Sequence, residues 1–378
     1  MTGPIDSLLG LRGAALLGLA AAAMMALMVA LCEKDEEKAG FRPVTFAELE
    51  GWSKDDHAAA FRTLLLSCRK RVKSNAACKA AHALGDGVDR DAARAFFEAH
   101  FTPHAVEHSA SNGLVTGYYE PEVNGAREQG GKYQVPVYAR PDDLITLRPD
   151  TERARYNNEI TGAIAGALKT QRQPYYTRAE IDSGALAGRG LELLWLDDPV
   201  ELFFMQIQGS GRVRLADGGT VRLGYAAKNG HSYTSIGKRL VEMGAGRPER
   251  MTMDGIKKWL RADPARARAL MHENRSYIFF HAFEGKGPVG AQGVVLTPGR
   301  SLAVDTAYHK LGAPVYVTAP DLVPDGAPFR RLMIAQDVGS AIRGPERGDI
   351  YFGSGEAAGA IAGRTKHGAK FYVLLPKE

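Results

Sequence analysis

Apolar residues near the start of the chain follow a helical period. Between residues 41 and 110 they recur every three or four positions, as at Phe61, Leu64, Leu65 and Cys68. This spacing is typical of α-helices with one buried face. The pattern predicts an N-terminal helical part in which the aromatic side chains belong to the core.

From residue 112 onward the pattern is typical of strands. Runs rich in β-branched and aromatic residues occur in the middle of the chain at QVPVYAR (134–140), LELLWL (191–196), ELFFMQIQGSGRVRL (201–215) and TVRLGYA (220–226). The last third contains further short runs: YIFFHAF, GVVLT, LAVD, PVYVTA, RLMIAQD, DIYFG and KFYVLL. Evenly spaced short strands with glycine-rich turns predict a small closed barrel.

The N-terminal segment from Gly13 to Cys32 has no charged residue over twenty positions. That length suffices for a membrane-spanning helix and exceeds the usual core of a signal peptide. Arg12 precedes the segment, which predicts a cytoplasmic N-terminus and an exported body. VALC, ending at Cys32, is similar to a lipidation site, although Leu31 stands where a small residue is usual. The segment therefore predicts an uncleaved helix or a lipidated Cys32, and a cleaved, soluble product is the alternative.

The other two cysteines, Cys68 and Cys78, are separated by nine residues. In an oxidising compartment such a pair favours a disulfide, and the spacing matches no zinc-ligand motif. Two unpaired thiols in the core are the alternative. We expect no metal and no other cofactor.

The chain has 378 residues, which allows two domains, with 48 basic and 43 acidic residues and a net charge of +5. So mild an excess suits an anionic polymer as partner. The basic residues are scattered along a chain that is predicted to be exported, which argues against nucleic-acid binding.

Three aspartates lie at strand ends in the last third: Asp305 in SLAVD, Asp337 in LMIAQDVGSAIRG and Asp349 in ERGDIYFGSG. Aspartates at such places often cap turns through their side chains, and we expect this of Asp305. Asp337 and Asp349 are followed by glycine-serine sequences that let a ligand approach the backbone. These two are candidate functional carboxyls.

The sequence DVGSA at Asp337 also resembles an aspartic-peptidase signature. Such enzymes need two aspartates on matching loops that share a proton. The chain has no second copy of the motif, so a homodimer would have to supply it. This interpretation is disfavoured.

Longer segments resemble one family. AVDTAYHKLGAPVYV and AQDVGSAIRGPERGDIYFGSG are similar to the three-aspartate domain of the membrane-bound lytic murein transglycosylase A family. TGYYEPEVNGAR, YQVPVYARPDDL, FFMQIQGSGRVRL and GYAAKNGHSYTSIG resemble the insert domain of that family. The likeness extends over residues 105 to 376 approximately.

The resemblance implies a mainly β fold with N-terminal helices, in which a double-psi β-barrel is interrupted by a smaller inserted β-domain and the substrate groove lies between them. Residues 1–32 would be the signal or anchor, and 41–117 the helical N-terminal part of the barrel domain. Residues 118–224 would form the insert, and 225–378 the remainder of the barrel domain.

The implied activity is cleavage of the MurNAc–GlcNAc bond of peptidoglycan with formation of 1,6-anhydroMurNAc. Asp349 matches the general acid and base of the family, and Asp337 its neighbouring aspartate. One catalytic carboxyl suffices because the attacking C6 hydroxyl belongs to the substrate itself. Asp349 must then hold a proton near neutral pH, above its ordinary pKa of about 3.9, through burial and the nearby Asp337. Arg343 and Arg347 are expected to point away from it.

Sugars present flat apolar faces ringed by hydroxyls, so the groove should carry tyrosines and amides. The candidate substrate-binding residues are Tyr118, Tyr119, Gln206, Gln208, Gly209, Ser210, Tyr225, Asn229 and Ser340. Each alone is more typical of a core tyrosine or a strand-surface glutamine, and their recurrence within the matched motifs is what favours a binding role.

The expected partners are peptidoglycan glycan strands, and the membrane through the N-terminal segment. The protein would lie at the periplasmic face as a monomer, held by an outer-membrane lipid anchor or an inner-membrane helix. A non-catalytic wall-binding module of the expansin type is the alternative, with the same groove and no turnover.

Overall fold

The computed structural model describes residues 39–69, 76–107, 113–147, 160–165, 173–247 and 251–377. The apolar segment Gly13–Cys32 and the predicted anchor lie outside the described residues. Within the described ranges, no helix combines the length and the hydropathy that a bilayer crossing requires.

The described part of the chain contains eight α-helices of seven residues or more. They are α1 (His57–Cys68), α2 (Ala76–Leu84), α3 (Arg90–His100), α4 (Pro199–Gln208), α5 (Ile236–Glu242), α6 (Met253–Arg261), α7 (Pro264–Glu273) and α8 (Gly355–Ala362). Short 3₁₀ turns occur at Phe46–Glu48 and Trp52–Lys54, and one helical turn at Arg178–Glu180 continues into a π-helical turn at Ile181–Ala185.

The same residues form sixteen strands. They are β1 (Gly40–Pro43), β2 (Phe101–Glu107), β3 (Gly113–Glu120), β4 (Glu122–Ala126), β5 (Val135–Tyr138), β6 (Leu144–Thr146), β7 (Gly162–Ile164), β8 (Glu192–Leu196), β9 (Ser210–Leu215), β10 (Thr220–Lys228), β11 (Ile278–Phe283), β12 (Ser301–Val304), β13 (Pro314–Ala319), β14 (Phe329–Asp337), β15 (Arg347–Ser354) and β16 (Lys366–Pro376).

Helices α1 to α3 form within the predicted helical range 41–110, but the prediction is wrong for Phe101–Glu107, which forms strand β2 of the larger sheet. Asp56 and Asp89 each accept a hydrogen bond from a free backbone N–H of the first turn, of α1 and α3 respectively. Phe61 and Phe97 pack together in a core that includes Tyr316 of the barrel. The predicted disulfide between Cys68 and Cys78 is present and joins α1 to α2.

The larger sheet closes into a barrel. Its strands follow the order β1-β2-β16-β13-β14-β12-β15-β3, and β16 also pairs with β3. Six strands, from β16 round to β3, therefore form a complete ring. Val115, Leu302, Val317 and Ile350 fill its interior. Because apolar side chains fill the interior, functional side chains of these strands lie on the outer face or at the strand ends.

The second sheet is inserted between β3 and β12, with the order β11-β10-β9-β4-β8-β5. A bridge between Ala139 and Phe280 brings its two edges together. The predicted insert boundary at residue 224 is wrong, because β10 continues to Lys228 across a bulge and pairs with β11 up to Phe283. The barrel resumes at β12.

The segment at the start of ELFFMQIQGSGRVRL was predicted as a strand but forms helix α4. Asp198 caps this helix, Pro199 occupies its first turn, and Gly209 ends it with a φ of 79°. These are regular start and stop signals of a helix. The helix forms despite the β-favouring Phe203, Phe204 and Ile207 because α4 buries Phe203 and Met205 in two separate cores.

Candidate active site

The register of the barrel strands brings the two candidate aspartates close to each other. Ala303 of β12 lies opposite Asp337 of the parallel strand β14 and opposite Asp349 of the antiparallel strand β15. Asp349 in turn lies opposite Thr116 of β3. Neighbouring strands are about 4.8 Å apart, so these residues form one lateral row across four strands.

Asp349 has one polar partner and a partly accessible side chain. The Thr116 hydroxyl donates to Asp349 Oδ1 at 2.7 Å, and Oδ2 has no hydrogen-bond partner among the residues that the structure describes. Surrounding protein atoms remove most of the hydration of the carboxyl, and this desolvation raises its pKa to about 6. The Thr116 hydrogen bond and Arg347 oppose the increase, and Asp337 adds to it.

Asp337 is held differently. Its Oδ1 accepts hydrogen bonds from the backbone N–H groups of Ala291 and Val338, both at 2.9 Å. Its Oδ2 accepts one from the Tyr118 hydroxyl at 3.0 Å. Burial raises the pKa of Asp337, and the three donors oppose that increase. The donors fix the orientation of this carboxyl and favour its ionised form.

Arg347 does not point away from the site, so that prediction is wrong. Its Nη2 donates to Thr116 Oγ1 at 2.8 Å, and its Nη1 donates to the carbonyl of Gly348. Arg343 is exposed, and its Nη1 lies 3.6 Å from Asp305 Oδ1. Neither Thr116 nor the inward orientation of Arg347 follows from the sequence, because both depend on the pairing of β3 with β15.

Asp305 has the structural role predicted for it. Its side chain accepts hydrogen bonds from the backbone N–H groups of Ala307 at 3.1 Å and Gly344 at 2.9 Å. It thereby ties its own turn to the loop that joins Asp337 to Asp349.

Adjacent tyrosines of β3 serve different purposes. Tyr118 binds Asp337 through its hydroxyl, and its ring packs against Tyr351 with 5.3 Å between centroids. Tyr119 lies on the other face of the strand, in a core with Ala358. The prediction that Tyr119 contacts a sugar is therefore wrong. Its backbone N–H donates to Gln208 Oε1 at 3.0 Å, so Gln208 supports the strand that carries Thr116.

Two further candidates are buried structural amides, and their prediction as substrate ligands is wrong. Gln206 is 3% exposed and donates to the carbonyl of Ile278. Asn229 is fully buried. Its Nδ2 donates to the carbonyls of Tyr176 and Arg275. With these contacts both side chains hold backbone segments together.

The remaining candidates lie on the inserted sheet and next to Asp337. Gly209 ends α4, and Ser210 begins β9 opposite Gly224. Tyr225 is 54% exposed, and Ser340 is exposed in the turn after Asp337. A sugar contact by Tyr225 or Ser340 stays a prediction.

A buried ion pair joins the inserted sheet to the barrel beside this site. Glu120, at the end of β3, is fully buried, and both its carboxylate oxygens accept from Arg222 Nη1 at 2.7 Å. Ser354 of β15 donates to Glu120 Oε2 at 2.6 Å. Ser354 follows Asp349 by five residues, so the contact connects the inserted sheet to the strand of the candidate acid.

The arrangement, a buried carboxyl with a raised pKa beside a second carboxyl, can perform acid–base chemistry, and it lies in a mainly β protein with two larger sheets. Among the described residues, no group of three His, Cys, Asp or Glu side chains is placed to hold a metal ion. Family models match two parts of the chain. The MltA specific insert domain matches residues 114–281, and the 3D domain matches residues 300–375.

The chain is also similar to known proteins in sequence and in structure. The membrane-bound lytic murein transglycosylase A of Vibrio cholerae is 34% identical over 269 residues, which are 70% of this chain and 65% of that protein. The crystal structure of the membrane-bound lytic murein transglycosylase from Agrobacterium tumefaciens is 35% identical with a TM-score of 0.81, over 89% of this chain and 98% of that one. Escherichia coli MltA with bound chitohexaose is 28% identical with a TM-score of 0.68, over 89% and 95% of the two chains.

The chain therefore belongs to the membrane-bound lytic murein transglycosylase A family. Its mainly β fold with accessory helices is the fold of the solved family members.

Proposed function

We propose that the protein is a peptidoglycan lytic transglycosylase that cleaves the MurNAc–GlcNAc bond and leaves a 1,6-anhydroMurNAc end. Asp349 is its single general acid and base. The observation that carries the proposal is the state of Asp349: its pKa is raised to about 6 by burial, and Oδ2 is free of hydrogen-bond partners among the described residues.

The reaction needs one carboxyl that acts twice. Protonated Asp349 donates its proton to the departing GlcNAc O4, and the C1–O4 bond breaks. The resulting carboxylate accepts the proton of the C6 hydroxyl of the same MurNAc, whose oxygen forms a bond to C1. The nucleophile is already tethered to the reacting carbon, which corresponds to effective molarities of about 10⁵ M or more.

A hydrolytic mechanism would require a second carboxyl as nucleophile or base. Asp337 is the nearest candidate, but three donors already occupy its oxygens. A carboxylate whose lone pairs are so engaged is a poor base for water. Its negative charge instead helps to keep the proton on Asp349.

We place the glycan in a groove between the barrel, which we take to be of the double-psi type, and the inserted sheet. Chitohexaose bound to Escherichia coli MltA supports an extended sugar chain as ligand. Exposed Tyr225 of β10 offers a ring to a sugar face. Lys228 and Arg343 lie on the two sides of this junction, and burial together with the charge of Arg343 lowers the pKa of Lys228. These two cations suit the carboxylates of a peptidoglycan stem.

We further propose that the protein acts as a monomer at the periplasmic face, with the apolar segment before Cys32 as its membrane anchor. The word membrane-bound in the names of its relatives supports anchoring. The matched region covers 65% of the length of the Vibrio protein, so activity, substrate and location are proposals for the whole chain.

Purified sacculi test the function. Full-length protein in detergent should release soluble muropeptides, and Asp349→Asn should bind sacculi equally well and release none. A wild-type protein that binds sacculi without releasing fragments would instead identify a non-catalytic wall-binding module. An Asp349→Asn variant that keeps more than about a tenth of the rate would show that another group is the acid, because general acid–base catalysis contributes at least about 10²-fold.

A further inference from the structure

Thr116 connects the guanidinium of Arg347 to the carboxyl of Asp349. Arg347 Nη2 lies 2.8 Å from Thr116 Oγ1, and Thr116 Oγ1 lies 2.7 Å from Asp349 Oδ1. No ion pair within 4.0 Å joins Arg347 to Asp349 in the described part of the chain. The hydroxyl therefore stands between the cation and the acid.

The direction of both hydrogen bonds follows from the chemistry of the three groups. A guanidinium has donors and no acceptor, so Thr116 Oγ1 accepts from Arg347. The hydroxyl has a single proton, and Asp349 Oδ1 is the acceptor within reach. If Asp349 carried its own proton on Oδ1, two donors would meet at Thr116 and the hydroxyl proton would lose its acceptor. An unmade hydrogen bond in a partly buried place is costly.

We propose that Thr116, oriented by Arg347, is a positioning residue that reserves Asp349 Oδ1 as an acceptor and so places the transferable proton on Oδ2. Oδ2 is the oxygen without a partner among the described residues, and it is the one free to meet the substrate. The inference rests on the proposed function of Asp349 and adds a residue that selects which oxygen of the acid reacts.

The intervening hydroxyl also explains how the Arg347 guanidinium can lie close to Asp349 while Asp349 carries a proton. A direct Arg347–Asp349 ion pair would favour the carboxylate and lower its pKa. Through Thr116 the guanidinium supports the carboxylate after proton transfer, without forming an ion pair with it beforehand. The other groups that face Asp349 are Asp337 on β14 and the Tyr118 hydroxyl on β3.

The test compares Thr116→Val, which keeps the shape and removes the hydroxyl, with Thr116→Ser, which keeps the hydroxyl. Each full-length variant is assayed for kcat, KM and pH profile on sacculi. Thr116→Val should lower kcat about tenfold, with KM unchanged. It should also move the alkaline limb of the pH–rate profile to higher pH by about one unit. The reason is that the carboxylate of Asp349 loses one hydrogen bond, and a hydrogen bond to a charged group is worth about this much. Thr116→Ser should keep both kcat and the position of the alkaline limb at their wild-type values.

Arg347→Met supplies the second arm, measured below the alkaline limb, where Asp349 is protonated in every variant. It should reduce kcat in the Thr116 protein and have little effect in the Thr116→Val protein, because it acts through the hydroxyl. Arg330→Met, which removes an arginine paired with Glu50 elsewhere on the barrel, is the matched control and should leave kcat unchanged.

Two results would overturn the proposal. One is an unchanged alkaline limb in Thr116→Val. The other is a loss of kcat from Arg347→Met that is as large in the Thr116→Val background as in the Thr116 protein. Either result, with Asp349→Asn inactive, rejects the positioning role and leaves the proposed function intact. An active Asp349→Asn variant would reject the proposed function itself. If Thr116→Val does not fold, Thr116→Ala, which also removes the hydroxyl, replaces it in both arms with the same expected changes in kcat and in the alkaline limb.

Discussion

Asp337 and Asp349 lie opposite the same residue of β12, yet their carboxyls are held by different numbers of donors. Asp337 accepts three hydrogen bonds, whereas Asp349 accepts one, from Thr116. Burial raises the pKa of both groups. The difference in donors leaves Asp349 as the carboxyl better suited to carry a proton near neutral pH, and the roles that we propose for the pair rest on this asymmetry.

The pH profile should report Asp349. Its pKa is raised to about 6, so the protonated form that acts as the acid is lost as the pH rises above that value. We expect kcat/KM on sacculi to fall about tenfold per pH unit on the alkaline side. Muropeptide release measured across the range gives the curve, and a rate that rises steadily from acid to alkaline pH would contradict this assignment.

Asp337→Asn should shift that curve towards lower pH. The negative charge of Asp337 raises the pKa of Asp349, so its removal lets the acid ionise earlier. The same pH series measures the effect, with Asp305→Asn as the control because Asp305 caps a turn. Equal shifts in both variants would mean that the charge of Asp337 has no specific influence.

The contact between the two sheets depends on a buried ion pair. Arg222→Met leaves the fully buried Glu120 without its cation, which should cost about 3–5 kcal/mol and lower activity through the neighbouring strand β15. Glu120→Gln combined with Arg222→Met should recover part of the stability, since no buried charge then remains. Urea unfolding measures all three proteins, and no loss in the single variant would refute the structural role.

The disulfide should stabilise the N-terminal helices without affecting the chemistry. Replacement of Cys68 and Cys78 by alanine should lower the free energy of unfolding by about 3 kcal/mol, as expected for the closure of a short loop. Activity at low temperature should be retained. Cys32→Ser, which removes the cysteine outside this pair, is the control for unfolding. Equal stability of both variants would show that the bridge contributes little.

Most of the barrel strands and helices α1 to α3 could be predicted from periodicity and turn residues. Two predicted barrel strands are wrong: GVVLT forms only an isolated bridge at Val295, and YIFFHAF belongs to the inserted sheet. The failure at α4 arose because FFMQIQ favours a strand by composition, although Asp198, Pro199 and Gly209 mark a helix. The predicted insert boundary comes too early in the chain because GYAA resembles a return to the barrel. That segment continues β10 past a bulge.

Asp337 and Asp349 could be selected as candidate carboxyls because their motifs are local in sequence. Thr116 and Arg347 could not be predicted, since they meet Asp349 through a pairing of strands more than two hundred residues apart. Asn229 and Gln206 were misassigned for a related reason. An amide that satisfies buried backbone groups has the same appearance in a sequence as one that binds a sugar.

The products of digestion in ¹⁸O-labelled water test the central claim most directly. Asp349 is proposed to serve as acid and then as base while the C6 hydroxyl of the substrate attacks, so no solvent oxygen should enter the product. Mass spectrometry should show muropeptides one water lighter than their hydrolytic counterparts and free of label. Reducing MurNAc ends that carry ¹⁸O would contradict the account.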